Sequence, residues 1–123
     1  MKKIVLAIDD NKMQLDMFEK MLGSKYDVRT ANSASTALAF LNTDQADIIL
    51  LDIEMPNISG FEFLGDIRLI PSYMKVPILI VSGKSGPEFF NKARNSGAFE
   101  VLSKPVKTDV LIETIEKALG VSN

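Results

Sequence analysis

The chain has 123 residues, 46% hydrophobic and 24% charged, with a formal net charge of −2; this is one domain's worth of chain, able to bury a core, and its charge balance excludes broad electrostatic binding to nucleic acid. It has no cysteine and no histidine, which excludes disulfides, thiolate chemistry and a histidine base or phospho-carrier, and argues against zinc. Any chemistry must run on carboxylates, hydroxyls, amides and ammonium groups.

The first apolar run, Ile4–Ile8, ends in Asp9-Asp10. It is too short for the apolar region of a signal peptide and reads as a strand. No segment approaches the ~20 apolar residues that span a bilayer, so a soluble, cytoplasmic protein without membrane contact is expected. Leu15, Phe18, Met21 and Leu22 then recur at helical spacing, with Gly23 as the stop. Met13 and Met17 read as packing residues of the same helix. Tyr26–Ala31 alternates more and predicts an edge strand. Ala34, Ala37, Leu38 and Leu41 form a second helical stripe, capped by Asn32 or Ser33.

Ile48–Leu51 is a continuous apolar strand running into Asp52. Phe61, Leu64 and Ile67 predict a third helix that ends before Pro71. Ile78–Val81 is a fourth strand, followed by Ser82-Gly83. Phe89, Phe90 and Ala93 predict a fourth helix, opened by Pro87 and closed by Gly97. Phe99–Leu102 is a fifth strand, followed by Ser103-Lys104-Pro105. Val110, Leu111, Ile115, Ala118 and Leu119 make the last helical stripe before Gly120.

Five strand–helix units in succession predict an α/β fold in which residues 1–123 form one domain. Right-handed crossovers favour a doubly wound, five-stranded parallel sheet of flavodoxin-like order 2-1-3-4-5. In such a sheet ligands bind beyond the carboxyl ends of the strands, at the switch point between strands 1 and 3. Asp9, Asp10 and Asp52 follow those two strands, and Ser82 and Lys104 follow strands 4 and 5. Clustered carboxylates repel and raise one another's pKa unless a cation intervenes. A hard divalent ion, Mg²⁺ or Mn²⁺, suits all-oxygen ligands. Taken singly, Asp9-Asp10 also fits a turn and helix cap, Asp52 a turn residue, and Lys104-Pro105 an exposed turn.

Asp9-Asp10, Asp52 within Asp52-Ile53-Glu54-Met55-Pro56-Asn57-Ile58-Ser59-Gly60, Ser82-Gly83-Lys84 and Lys104-Pro105 together resemble the receiver domain of two-component response regulators. The resemblance runs from Lys3 to about Leu119. It implies that Asp52 is the phosphoacceptor for a histidine kinase or histidine phosphotransfer protein. It also implies that Asp10 ligates Mg²⁺ directly, Asp9 acts mostly through water, and the Glu54 main-chain carbonyl completes the protein ligands. Lys104 and the metal would neutralise the phosphoryl oxygens, and Ser82 would donate to one of them once phosphate arrives. Gly83 would keep the approach to Asp52 open, Pro56 and Gly60 would shape the following loop, and Pro105 would fix a turn, its peptide isomer left open.

Receivers usually carry Tyr or Phe three residues before the lysine; Val101 stands there. That departure puts in question the coupling to the face formed by the fourth helix, fifth strand and fifth helix, through which an output protein would bind. Glu54 and Lys84 could pair across the entrance and slow phosphoaspartate hydrolysis. The expected protein is a signalling domain rather than an enzyme in its own right, a monomer or weak dimer, either free-standing or the N-terminal receiver of a longer regulator. A small aspartate-nucleophile phosphatase would need a cap and a further general acid. A flavodoxin-like electron carrier would need a Ser/Thr-rich phosphate loop where two acids stand.

Overall fold

The computed structural model describes residues 2–56 and 58–120; Met1, Asn57 and residues 121–123 lie outside that description, so the Asn57 of the motif has no structural account. Strands β1 (Ile4–Ile8), β2 (Asp27–Ala31), β3 (Ile48–Asp52), β4 (Ile78–Ser82) and β5 (Glu100–Ser103) alternate with helices α1 (Lys12–Leu22), α2 (Ala34–Thr43), α3 (Gly60–Arg68), α4 (Pro87–Asn95) and α5 (Thr108–Ala118). The strands form one parallel sheet in the order β2-β1-β3-β4-β5. This is the expected doubly wound topology, with β2 at an edge.

Burial explains the strand sequences. Every residue of β3 and β4 is buried, because helices cover both faces. On one face Leu6, Ile8, Ile49, Leu51, Ile78 and Ile80 pack with residues of α2, α3 and α4. On the other, Val5, Ala7, Ile48, Leu50, Leu79 and Val81 pack against α1 and α5. Each such side chain stabilises the fold by about 1.5–3 kcal/mol, so a charge anywhere along β3 before its last residue would be costly. The charge that does occur, Asp52, stands at the strand's end.

Local signals set the helix starts. Asn11, Ser33 and Ser59 each accept a hydrogen bond from the backbone N–H three residues on. Ser33 is therefore the cap of α2, and Asn11, rather than either aspartate, is the cap of α1. Pro87 sits in the first turn of α4, and Gly97 follows that helix with φ +93°, a conformation that disfavours any side chain.

Several expectations change on packing. Tyr26 is buried but precedes β2, and Phe99 precedes β5 and is half-exposed. Phe63, Leu64 and Ile67 are the buried face of α3, whereas Phe61 is only half-buried. Leu64 and Ile67 of the predicted stripe are buried as expected, and the face extends to Phe63 and to Gly60, which lies flat on Ile53. A Cβ at Gly60 would come within 2.5 Å of the Ile53 Cα. Met13, 76% exposed, and Met17 point to solvent rather than packing, and Val110 is exposed on α5. Leu111 and Ile115 alone carry the fully buried face of α5.

Candidate functional site: an acidic cluster at the carboxyl edge of the sheet

The register brings the strand ends together. Ile8 stands beside Leu51, Asp52 beside Val81, and Ser82 beside Ser103. The residues that end β3 and β4 and those that follow β1 and β5 therefore converge although they are up to 95 positions apart. Asp9, Asp10 and Asp52 each offer a carboxylate oxygen, and these oxygens lie within 4.8 Å of one another. Asp9 and Asp52 are buried, 1% and 4% exposed, while Asp10 is open to solvent.

Each buried acid is held on both oxygens. Asp9 Oδ1 accepts from the Asn11 backbone N–H at 2.9 Å, and Asp9 Oδ2 accepts from Lys104 Nζ at 3.1 Å. Asp52 Oδ1 accepts from the Glu54 backbone N–H at 2.9 Å, and Lys104 Nζ lies 3.5 Å from Asp52 Oδ2. One ammonium thus serves two buried carboxylates. Burial pushes the Asp52 carboxyl above its ordinary range, with Asp9 adding to the effect, and the Glu54 N–H and Lys104 only partly oppose it. Lys104 is also raised: burial works against its charge, but the Asp52 charge and the bond to Asp9 outweigh that. The cluster is short of positive charge, which is the condition under which a carboxylate set takes up a hard divalent cation. With Asp10 exposed, the open side can be filled by water or an incoming oxygen anion. The Lys104–Pro105 bond is cis.

Ser82 is fully buried and its hydroxyl is engaged. It donates to Glu54 Oε1 at 2.6 Å and accepts from the Lys84 backbone N–H at 3.0 Å. The Gly83 N–H donates to the same Glu54 oxygen at 2.9 Å. The Ser82 bond, followed by the Gly83 N–H, holds the Glu54 carboxyl below its usual range. The expected Glu54–Lys84 ion pair is therefore not formed: Glu54 turns onto the β4 loop, and Lys84 takes part through its backbone. Gly83, expected to keep the approach to Asp52 open, stands in open surroundings. Apart from its chain neighbours, a Cβ there would meet only Glu54 Oε1, at 3.7 Å, an ordinary contact.

A cleft of about 970 Å³ runs from Asp10 and Glu54 along Phe61 and Phe89 to Lys92. The two rings lie 6.0 Å apart, and Lys92 Nζ sits 4.9 Å above Phe61. Val101 is half-buried and borders a separate cavity of about 200 Å³ between α4 and β5, walled by Phe90 and Phe99. What sequence reasoning missed is where the Glu54 side chain goes: to Ser82 and Gly83 rather than to Lys84. Its acidic type was visible two residues after Asp52, but its partners lie 28 and 29 residues away.

Comparison with known proteins agrees with this geometry. Residues 5–116 match the family model described as the response regulator receiver domain. The two-component response regulator ARR10 of Arabidopsis thaliana is 34% identical over 87% of this chain, which covers 19% of that protein. The sensor histidine kinase RcsC of Salmonella typhimurium is 33% identical over 91% of this chain and 12% of its own length. The chain thus spans about a fifth or less of these curated relatives. Among solved structures, the Vibrio cholerae chemotaxis protein CheY4 superposes with a TM-score of 0.91 at 32% identity, covering 97% of this chain and 100% of that one.

Proposed function

Because the chain belongs to the response regulator receiver domain family, we propose that it is a single receiver unit that accepts a phosphoryl group on Asp52 in a Mg²⁺-dependent reaction. The phosphoryl donor is a histidine kinase or histidine phosphotransfer protein. The observation that carries this reading is the three-carboxylate cluster within 4.8 Å, with its half-buried Lys104 bridge.

The donor set fits the metal. Asp9, Asp10 and Asp52 would supply hard oxygens, and the Glu54 main-chain carbonyl would be the further protein ligand. Bound there, Mg²⁺ would neutralise charge on the phosphoryl oxygens and on the crowded carboxylates. The remaining steps belong to the chain. An Asp52 Oδ attacks phosphorus, an O–P bond forms, and the donor's P–N bond breaks with its electron pair returning to the imidazole. The Glu54 N–H keeps Asp52 aligned while Lys104 balances developing charge. Such a transfer has a loose transition state, so alignment and charge supply most of the acceleration. Ser82 is the hydroxyl that would bind a phosphoryl oxygen afterwards, drawing the β4 loop inward.

The domain signals rather than turning over a substrate, and its output partner reads the face of α4, β5 and α5. No helix among the described residues is long and apolar enough to cross a membrane. Incubation with radiolabelled acetyl phosphate tests the reading. Label is expected on the wild type with Mg²⁺, and none on Asp52→Asn or with chelator; equal labelling of Asp52→Asn would overturn it.

A further inference from the structure

Ser82 Oγ and Gly83 N converge on one oxygen, at 2.6 and 2.9 Å, and that oxygen belongs to Glu54. Two donors aimed at a single anionic oxygen make a small oxyanion site. A serine hydroxyl has one proton to donate, and Lys84 N–H already fills part of its acceptor capacity. Ser82 cannot hold Glu54 and a phosphoryl oxygen with the same proton.

We infer that the Glu54 carboxylate is a built-in stand-in for a phosphoryl oxygen: it occupies the Ser82–Gly83 donors in the unphosphorylated protein and must be displaced when an anion arrives at Asp52. Glu54 is a positioning residue in this scheme, acting through Ser82 rather than on phosphorus. The inference rests on Asp52 being the acceptor, since only a group attached there would compete for those donors. It has two consequences. The stand-in pre-forms the β4 loop, holding both donors at the spacing an anion needs. It also opposes binding, because a charge-assisted hydrogen bond has to be exchanged. Reach matters as much as charge, because a carboxylate one methylene shorter could not span the same gap.

The test is binding of beryllofluoride in the presence of Mg²⁺ to the whole chain, with three Glu54 variants, Ser82→Ala and one double variant. Glu54→Ala is expected to bind about fivefold more tightly than wild type. Glu54→Asp, which keeps the charge but shortens the reach, should follow Glu54→Ala. Glu54→Gln, which keeps the reach and an acceptor oxygen, should lie between. Combined with Ser82→Ala, Glu54→Ala should give little further gain, because the donor being released is gone. Glu54 is exposed, so the single Glu54 variants keep the fold. A readout independent of any metal is the Gly83 amide proton, which should move upfield in Glu54→Ala and Glu54→Asp as its acceptor is withdrawn. If Glu54→Asp binds like wild type while Glu54→Ala binds tightly, simple charge repulsion is at work and the inference fails. It also fails if none of the three Glu54 variants binds more tightly than wild type, or if the Gly83 amide does not move. Wild type that does not bind beryllofluoride at all removes the Asp52 reading itself, which separates the two failures.

Discussion

The two ends of the sheet treat their polar side chains in opposite ways. At the amino end, side chains complete the backbone. Tyr73, wholly buried, donates to the Asp44 carbonyl at 2.7 Å and accepts from the Ala46 N–H at 2.9 Å. Asp47 accepts from the Ile4 N–H at 2.7 Å. Arg68 donates to the carbonyls of Tyr73, Val76 and Gly97, tying α3 to the segments that lead into β4 and β5. Each of these three side chains ends on main-chain groups. At the carboxyl end, Asp9, Asp52, Lys104, Glu54 and Ser82 are bound largely to one another. The first arrangement is closed and stabilises the fold. The second lacks positive charge and has exchangeable partners, which suits an incoming metal and anion. Hydrogen-bond satisfaction alone does not separate them, since no buried polar side-chain atom among the described residues lacks a partner.

Substitutions at the two ends should therefore separate chemistry from stability. The largest effect is expected at the carboxyl end, where Lys104→Ala removes the one cation shared by Asp9 and Asp52. Its initial rate of labelling by acetyl phosphate should fall about 300-fold, in the range seen for loss of a single charge-stabilising donor. Full activity would break the contrast.

Mg²⁺ should act next most strongly, and only through the carboxyl end. At about 100 times its Kd the ion should raise the unfolding free energy by ~2.7 kcal/mol. Asp10→Asn should remove most of that gain in a urea titration, while Asp47→Asn should keep it.

At the amino end, Tyr73→Phe leaves the Ala46 N–H and Asp44 carbonyl without their side-chain partner. A loss of about 2 kcal/mol in stability is expected, with phosphoryl acceptance unchanged. A variant that folds normally but no longer labels would show that the ends are coupled.

The smallest effect has the opposite sign. Burial raises the Asp52 carboxyl, so the folded protein holds that proton more tightly than the unfolded chain does. Stability then falls as pH rises from the ordinary value of 3.8 through the raised one. Asp52→Asn removes this penalty. Without divalent cation its Tm at pH 7 should exceed wild type by about 3 °C, and the gain should vanish below pH 3.8. A melt series across pH checks both.

What the sequence by itself determined is what depends on neighbours along the chain. Two-sided burial writes apolar runs into β1, β3 and β4, helix starts need Ser33 and Ser59 three residues before the N–H they accept from, and Pro87 and Gly97 bracket α4. The doubly wound topology follows from that alternation, and topology places Asp9, Asp10, Asp52, Ser82 and Lys104 at one edge. Only the tertiary structure decided which of those groups pair. Lys104 reaches Asp9 across 95 positions and Ser82 reaches Glu54 across 28; no periodicity records such separations. The same holds for Phe63, fully buried where Phe61 is only partly so, and for Arg68, whose carbonyl partners come from the segments before β4 and before β5. Local hydrogen bonds and burial patterns are set by sequence spacing, whereas the choice among several chemically acceptable partners is made by distance and direction after the chain has packed.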